Sequence, residues 1–346
     1  MKPAPTLFVS HADADKPVVN LVVDLLKHGI GVPAERIYCT ALEQGGNKGG
    51  DQFIQAAFQR LSKPNVVVLT LVSRNFNGSA FCGNEVGAAW IGMRHSLLYV
   101  IPPSDYRILS GVLVDRHAPS LAKRATLEEL RQQIARRLSL KPTRSDDWNA
   151  AVQRFLSHLG PAAFEIERKR AGIKHDVFVS TPMSTVSDAD YVRIRRMALK
   201  LIDTLTTVSN ETSPSPSVYY AARTYASKME FDQKAKAVEK DLAALHASQH
   251  YILVLDKNVK TSAYFEAGMA LAYAESVDSV LQRRSTYFVK SGVTLPFMME
   301  EVNTKYKQVE KYEYKNEKEL QATVMRYSDT FGVARWRSWG IEADQT

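Results

Sequence analysis

The sequence predicts an α/β protein of two domains, each with a mainly parallel sheet flanked by helices. Three observations predict it. Short apolar runs alternate with amphipathic helical segments. That alternation restarts halfway, where Phe178-Val179-Ser180 repeats Phe8-Val9-Ser10. The 346 residues suit two domains at about 150 residues each. Hydrophobic residues at 45% and charged ones at 24% match ordinary globular chains and exclude disordered, collagen-like and coiled-coil classes.

In the first half, Leu7-Phe8-Val9-Ser10 reads as a strand, followed by a helix over residues 16–28 with Val18, Val19, Leu21, Val22, Leu25 and Leu26 on one side. Ile37-Tyr38-Cys39 is a second strand, running into a glycine-rich loop at residues 42–50. Phe53, Ile54, Ala57, Phe58 and Leu61 mark a helix, and Val66–Val72 is the plainest buried strand. A helix over residues 80–93 and a strand at 97–101 follow. Residues 123–144 hold seven basic residues against two acids, with Leu127, Leu130, Ile134 and Leu138 at helical spacing. This pattern fits a solvated helix face beside a linker.

Another helix is expected at 148–171. The second half then reads as strands at 176–180, 218–221, 251–255 and 285–289, with helices at 189–207, 231–248 and from 262 onward. Each half has a strand ending in Phe-Val-Ser and, later, a Ser-Ala-aromatic turn whose helix carries a glutamate. Ser10 precedes Glu85 by 75 positions and Ser180 precedes Glu266 by 86. Both halves are thus expected to be flavodoxin-like or Rossmann-like. The expected division is residues 1–145, a helical linker at 146–173, a second domain at 174–330, and an aromatic, basic tail at 331–346. Tyr306, Tyr312 and Tyr314 are grouped with that tail.

Cys39 and Cys82 are too few for a disulfide framework or a cysteine-rich metal site and fit a reducing compartment. No metal is expected. No run approaches the ~20 apolar residues of a membrane span, and no leader core follows the first residues. The expectation is a cytoplasmic protein without membrane contact. The net charge of +8 can steer phosphates toward the protein, but it is scattered, and nucleic acid is not an expected partner.

Ligands of open parallel sheets sit beyond the carboxyl ends of the strands. Ser10 and His11, the 40–50 loop, residues 73–79 and Glu85 converge there in the first half. Alone, Glu85 reads either as a solvated helix charge or as a cleft carboxylate tuned by Phe81, Cys82 and Trp90. The glycine-rich loop lacks the Gly-Lys-Ser/Thr ending of a P-loop. Cys82 reads as a buried small residue rather than a nucleophile.

Several stretches carry a resemblance: Phe8-Val9-Ser10-His11-Ala12 with Asp15-Lys16, Gly50-Asp51-Gln52-Phe53-Ile54, Val66–Ser73 followed by Asn75-Phe76, and Ser79-Ala80-Phe81-Cys82-Gly83-Asn84-Glu85 leading into Gly87-Ala88-Ala89-Trp90. Over about residues 5–140 the chain resembles a bacterial Toll/interleukin-1 receptor (TIR) domain. Some members of that family are assembly scaffolds, and many cleave NAD+ at the nicotinamide–ribose bond. The resemblance implies Glu85 as catalytic residue, with Phe8, Ser10, His11, Ser79, Cys82 and Trp90 around the substrate. It also implies self-association through TIR domains. NAD+ would be substrate, and no cofactor is implied.

Residues 174–330 more loosely resemble nucleoside 2-deoxyribosyltransferases and related nucleotide sensors of bacterial defence effectors. The resemblance rests on Phe178-Val179-Ser180-Thr181-Pro182-Met183, Glu239-Lys240-Asp241-Leu242 and Ser262-Ala263-Tyr264-Phe265-Glu266-Ala267-Gly268. It implies a ligand site of Ser180, Pro182, Asp241, Ser262 and Glu266. Glu266 would be nucleophile or ribose ligand. Its plainer reading is a helix N-terminal charge favoured by the macrodipole. The expected function is an NAD+ glycohydrolase of anti-phage defence, with a cyclic or ADP-ribose-like nucleotide as activator. The alternatives are a nonenzymatic TIR adaptor and a nucleoside-processing enzyme acting through the second half.

Overall fold

The computed structural model describes residues 4–39, 59, 61, 65–79, 82, 95–104, 106–109, 113, 116–141, 143–207, 216–276, 281, 283–332 and 341. The chain divides into two compact units, residues 1–166 with 336–346, and residues 167–335.

The first unit is built on β1 (Thr6–Ser10), β2 (Ile37–Cys39), β3 (Val66–Val72) and β4 (His95–Val100), all parallel in the order β2-β1-β3-β4. All seven residues of β3 are buried, as expected of an inner parallel strand covered on both faces. On one face Leu7, Val9, Leu69 and Leu71 pack with α1 (Lys16–Asp24), α2 (Arg124–Leu138) and α3 (Ser145–Arg170) through Val18, Val22, Leu130, Ile134, Trp148 and Phe155. On the other face Phe8, Tyr38, Leu61, Val66 and Val68 form a smaller cluster.

The expected helix over 16–28 is two pieces. Regular α1 ends at Asp24, and Leu25–Gly29 winds as a wider π-type turn. Close packing sets Gly29's identity. A Cβ there would lie 3.0 Å from the Ala151 Cβ and 3.1 Å from the Trp148 ring. The Thr143 hydroxyl donates to the Gly29 carbonyl at 2.6 Å, tying this turn to the start of α3.

The second unit carries β5 (His175–Ser180), β6 (Val218–Tyr219), β7 (Ser248–Leu255), β8 (Arg284–Lys290) and β9 (Val309–Tyr314), again all parallel, in the order β6-β5-β7-β8-β9. Side chains alternate between two cores, as pleating requires. Val177, Val179, Ile252, Val254 and Phe288 face α4 (Asp188–Thr207) and α7 (Glu317–Gly332) through Ile194, Leu201, Leu320 and Val324. Phe178, Tyr251, Leu253, Tyr287 and Val289 face α5 (Lys234–His246) and α6 (Ala263–Ser276) through Leu245, Ala263, Ala267 and Ala270. The small alanines let α6 approach the sheet closely.

Both sheets therefore share one order, second-first-third-fourth, the flavodoxin-like arrangement whose crevice opens between the first and third strands. The α/β class with two parallel sheets is as the sequence predicts.

Two expectations change. Tyr312 and Tyr314 belong to β9 rather than to a tail, and Tyr314 is 1% exposed, its hydroxyl donating to the Leu255 carbonyl at 3.2 Å. The helix expected to reach residue 248 stops at His246, and β7 begins at Ser248. There the Ser248 hydroxyl donates back to the Ala244 carbonyl at 2.6 Å, satisfying an end-of-helix acceptor. The helical linker expected at 146–173 is helical, as α3, and the boundary between units falls inside it.

Candidate functional site

The second unit brings a buried carboxylate to its switch point. Ser180 ends β5, and Glu266 lies in the first turn of α6, which follows β7. The Ser180 hydroxyl donates to Glu266 Oε2 at 2.6 Å, and the Ser262 hydroxyl also hydrogen-bonds this carboxylate. Glu266 is 9% exposed. Burial raises its pKa above the ordinary carboxylate value, the Ser180 bond opposes that rise, and the charge of Asp241 adds to it. Tyr251 positions the start of α6 by donating from its hydroxyl to the Ala263 carbonyl at 2.9 Å.

Asp241, on α5, accepts a hydrogen bond from the Tyr219 hydroxyl at 2.8 Å. Burial raises its pKa too, against the lowering effect of that bond. Tyr219 also stacks on Phe178 at 5.2 Å between centroids, and Phe178 stacks in turn on Tyr251 at 5.9 Å. Pro182 is buried just beyond β5. All five residues expected from the sequence, Ser180, Pro182, Asp241, Ser262 and Glu266, thus lie among the elements around this crevice. Direct bonds join Ser180 and Ser262 to Glu266.

In the sequence Tyr219 is one of two adjacent tyrosines in the strand expected at 218–221. Its role as donor to Asp241 needed the parallel register that sets it beside Phe178. A second group went unread. Asp256, directly after β7, is buried against Arg193 of α4 and takes Lys290 of β8 at 3.3 Å. Asp190 accepts from Lys257 at 2.7 Å and from Arg193 at 3.2 Å; these bonds, Lys257 first, hold it well below the usual carboxylate range. These charges rim the carboxyl ends of β7 and β8.

In the first unit, Ser10 and His11 are buried at the end of β1, 1% and 6% exposed. His11 Nδ1 lies 3.2 Å from the Val9 carbonyl. A carbonyl only accepts, so Nδ1 carries the proton in the neutral ring. Burial lowers the pKa of His11 below its ordinary value, with the Val9 bond opposing. Both cysteines meet this residue. Cys39 Sγ is 3.9 Å from Nδ1, and the Cys82 thiol donates to the His11 carbonyl at 3.4 Å. Ser79 Oγ accepts from the Cys82 backbone N–H at 3.3 Å. Phe8 is a core side chain, 2% exposed, with its ring 5.1 Å from that of Tyr38. Glu85, Trp90, Phe81 and the 40–50 loop lie outside the described residues.

Asp15 is the residue sequence reading left without a role. Fully buried, it accepts from the Ser73 hydroxyl at 2.5 Å and from the Asn75 amide at 2.7 Å. Ser73 Oγ also accepts from the Phe76 N–H at 3.0 Å, capping the turn after β3. The loops following β1 and β3 are locked together across the switch point. The sequence signal was an aspartate before Lys16-Pro17, which suggests a helix cap. Its side chain makes no cap bond and reaches the neighbouring loop instead.

Among the described residues no three His, Cys, Asp or Glu side chains gather as metal ligands would, and no helix is long and apolar enough to cross a membrane. No protein-family model matches the chain. The sequence is 30% identical over 134 residues to a protein of Bacillus subtilis (strain 168) named "Uncharacterized protein YddK". The match covers 39% of this chain and 50% of that relative. The chain thus spans about half the length of the curated relative it matches.

Proposed function

We propose that the first unit cleaves NAD+ at the nicotinamide–ribose bond with Glu85 as catalytic carboxylate, and that the second unit binds a nucleotide that regulates it. The observation that carries this reading is the Cys82 thiol donating to the His11 carbonyl. It ties the residue three positions before Glu85 to the end of β1, beside the crevice where ligands of this strand order bind. Nicotinamide leaves as a neutral molecule when the C1′–N bond breaks and its electron pair moves to the ring nitrogen. A carboxylate then stabilises the oxocarbenium-like ribose, and water adds at C1′ with loss of a proton. This chemistry asks for one placed carboxylate. Self-association through the first unit and a role in anti-phage defence belong to the same proposal, as does a cytoplasmic setting.

The experiment measures nicotinamide release from NAD+ by wild type and Glu85→Ala, with and without nucleotide extract from phage-infected cells. The expected result is release by wild type that rises with extract and falls at least a hundredfold in Glu85→Ala. Equal release by both proteins would sink the assignment.

A second reading places N-glycosidic chemistry in the second unit, and the Ser180–Glu266 pair with its raised carboxylate pKa favours it. In that case Glu266→Ala abolishes nicotinamide or base release while Glu85→Ala retains it. Substitutions serve better than truncation here, because Ile341 packs against the first core.

A further inference from the structure

In the first unit Asp15 crosses between two loops at the carboxyl ends of the strands. It closes the short turn Asp13–Asp15 after β1, its N–H donating to the Ala12 carbonyl at 2.9 Å. Its carboxylate reaches the segment after β3, where the Ser73 hydroxyl and the Asn75 amide donate to its two oxygens at 2.5 and 2.7 Å. Ser73 Oγ in turn accepts from the Phe76 N–H at 3.0 Å. The chain then runs on through local turns. The Ser79 N–H donates to the Phe76 carbonyl at 3.0 Å, and the Cys82 N–H to Ser79 Oγ at 3.3 Å. Finally the Cys82 thiol returns to the His11 carbonyl at 3.4 Å, beside the turn that carries Asp15. These hydrogen bonds form a closed circuit between the ends of β1 and β3.

The links of the circuit differ in strength. A thiol is a weak donor, and the turn bonds fix the chain only over three residues at a time. Bonds to an ionised carboxylate are roughly twice as strong as neutral ones, and burial strengthens them further. Asp15 is 0% exposed and Ser73 6% exposed. The Asp15 crossing therefore sets the spacing of the two loops, and the thiol contact follows it. Those loops flank the crevice where ligands of this strand order bind, and Glu85 follows Cys82 by three positions.

We propose that Asp15 is a positioning residue of the NAD+ reaction: through Ser73 and Asn75 it sets where the chain after β3 leaves the sheet, and so where Glu85 stands relative to the end of β1. The inference rests on the reading of Glu85 as the NAD+-cleaving carboxylate. Displacing a reacting group by about 1 Å can cost about a hundredfold in rate, and such a loss falls on kcat rather than on KM.

The test is steady-state nicotinamide release from NAD+ by the full chain, with nucleotide extract from phage-infected cells, beside a melting curve of each variant. Asp15→Asn turns an amide N–H toward one of the two donors. It is expected to lower kcat about tenfold or more and to leave KM for NAD+ nearly unchanged. Asp15→Asn combined with Asn75→Asp is expected to recover most of kcat, because the exchanged amide accepts from Ser73 and donates to the exchanged carboxylate. If Asp15→Asn does not fold, Ser73→Ala and Asn75→Ala each remove one donor and carry the same expectation for kcat and KM. A lowered melting temperature with kcat unchanged, or a double variant as slow as Asp15→Asn, would overturn the inference. Full kcat in Asp15→Asn beside an inactive Glu85→Ala overturns it alone. No release by wild type, or equal release by Glu85→Ala, overturns the NAD+ reading and this inference with it.

Discussion

Tyr219→Phe removes one oxygen and leaves Asp241 buried without its donor. Stranding a buried acceptor costs about 1–3 kcal/mol, so chemical denaturation should register a loss of that size, with the Asp241 pKa rising further by NMR titration. Glu266 gives a prediction with a sign. Its carboxyl binds its proton more tightly when folded than the ordinary 4.5, so burial costs nothing below that pH. The cost grows as pH climbs through the raised folded value. Glu266→Gln keeps an acceptor for Ser180 and removes the charge. Its stability should equal wild type at about pH 4 and exceed it increasingly toward neutrality; a gap independent of pH would show that burial does not govern this group. Ser180, Asp241, Ser262 and Glu266 were named through the resemblance of residues 174–330. Only Ser180 at a strand end and Ser262 and Glu266 at a helix start also stand where the local pattern marks a site, while Asp241 lies within α5. Asp15 was not legible, since its partners Ser73 and Asn75 lie 58 and 60 positions away.

At the scale of elements, the close seat of the Leu25–Gly29 turn against α3 yields the next prediction. Gly29→Ala pushes a methyl to 3.0 Å from Ala151, inside ordinary contact distance, and overpacking of that kind costs about 1–3 kcal/mol. A melting temperature within error of wild type would show that α3 yields. The helices and inner strands were readable because β3 and the Tyr251–Leu255 part of β7 are continuous apolar runs and α1 carries a clear stripe. β9 escaped because Val-Glu-Lys-Tyr-Glu-Tyr has the look of a charged segment. As the last strand of its sheet it needs few apolar side chains, and charge along such a strand discourages pairing with other molecules. α7 escaped with it, although Leu320, Val324 and Tyr327 recur at helical spacing.

Two units with separate cores should unfold as two transitions rather than one, and each carries its own buried titratable group. His11 loses proton affinity on folding relative to the ordinary 6.5. Its contribution is therefore intact above that pH and is lost as pH falls toward the lowered folded value. His11→Asn should flatten the acid-side loss in one calorimetric transition and leave the other in place, while Glu266→Gln acts on the other transition from the alkaline side. Both variants shifting the same transition would contradict the division into units. The doubled α/β pattern was readable from the repeated Phe-Val-Ser ends, whereas the shared strand order needed the structure. The packing of Ile341 against the first core was not readable, because no local pattern announces it.

That last placement bears on how the protein is made. The second unit lies in the chain between the first core and Ile341, which packs against that core, so during synthesis residues 167–335 emerge and can close their own core while the first core still lacks Ile341. Domains emerging from the ribosome tend to finish in chain order. Here the order of completion is reversed: the second unit can close before Ile341 reaches the first core.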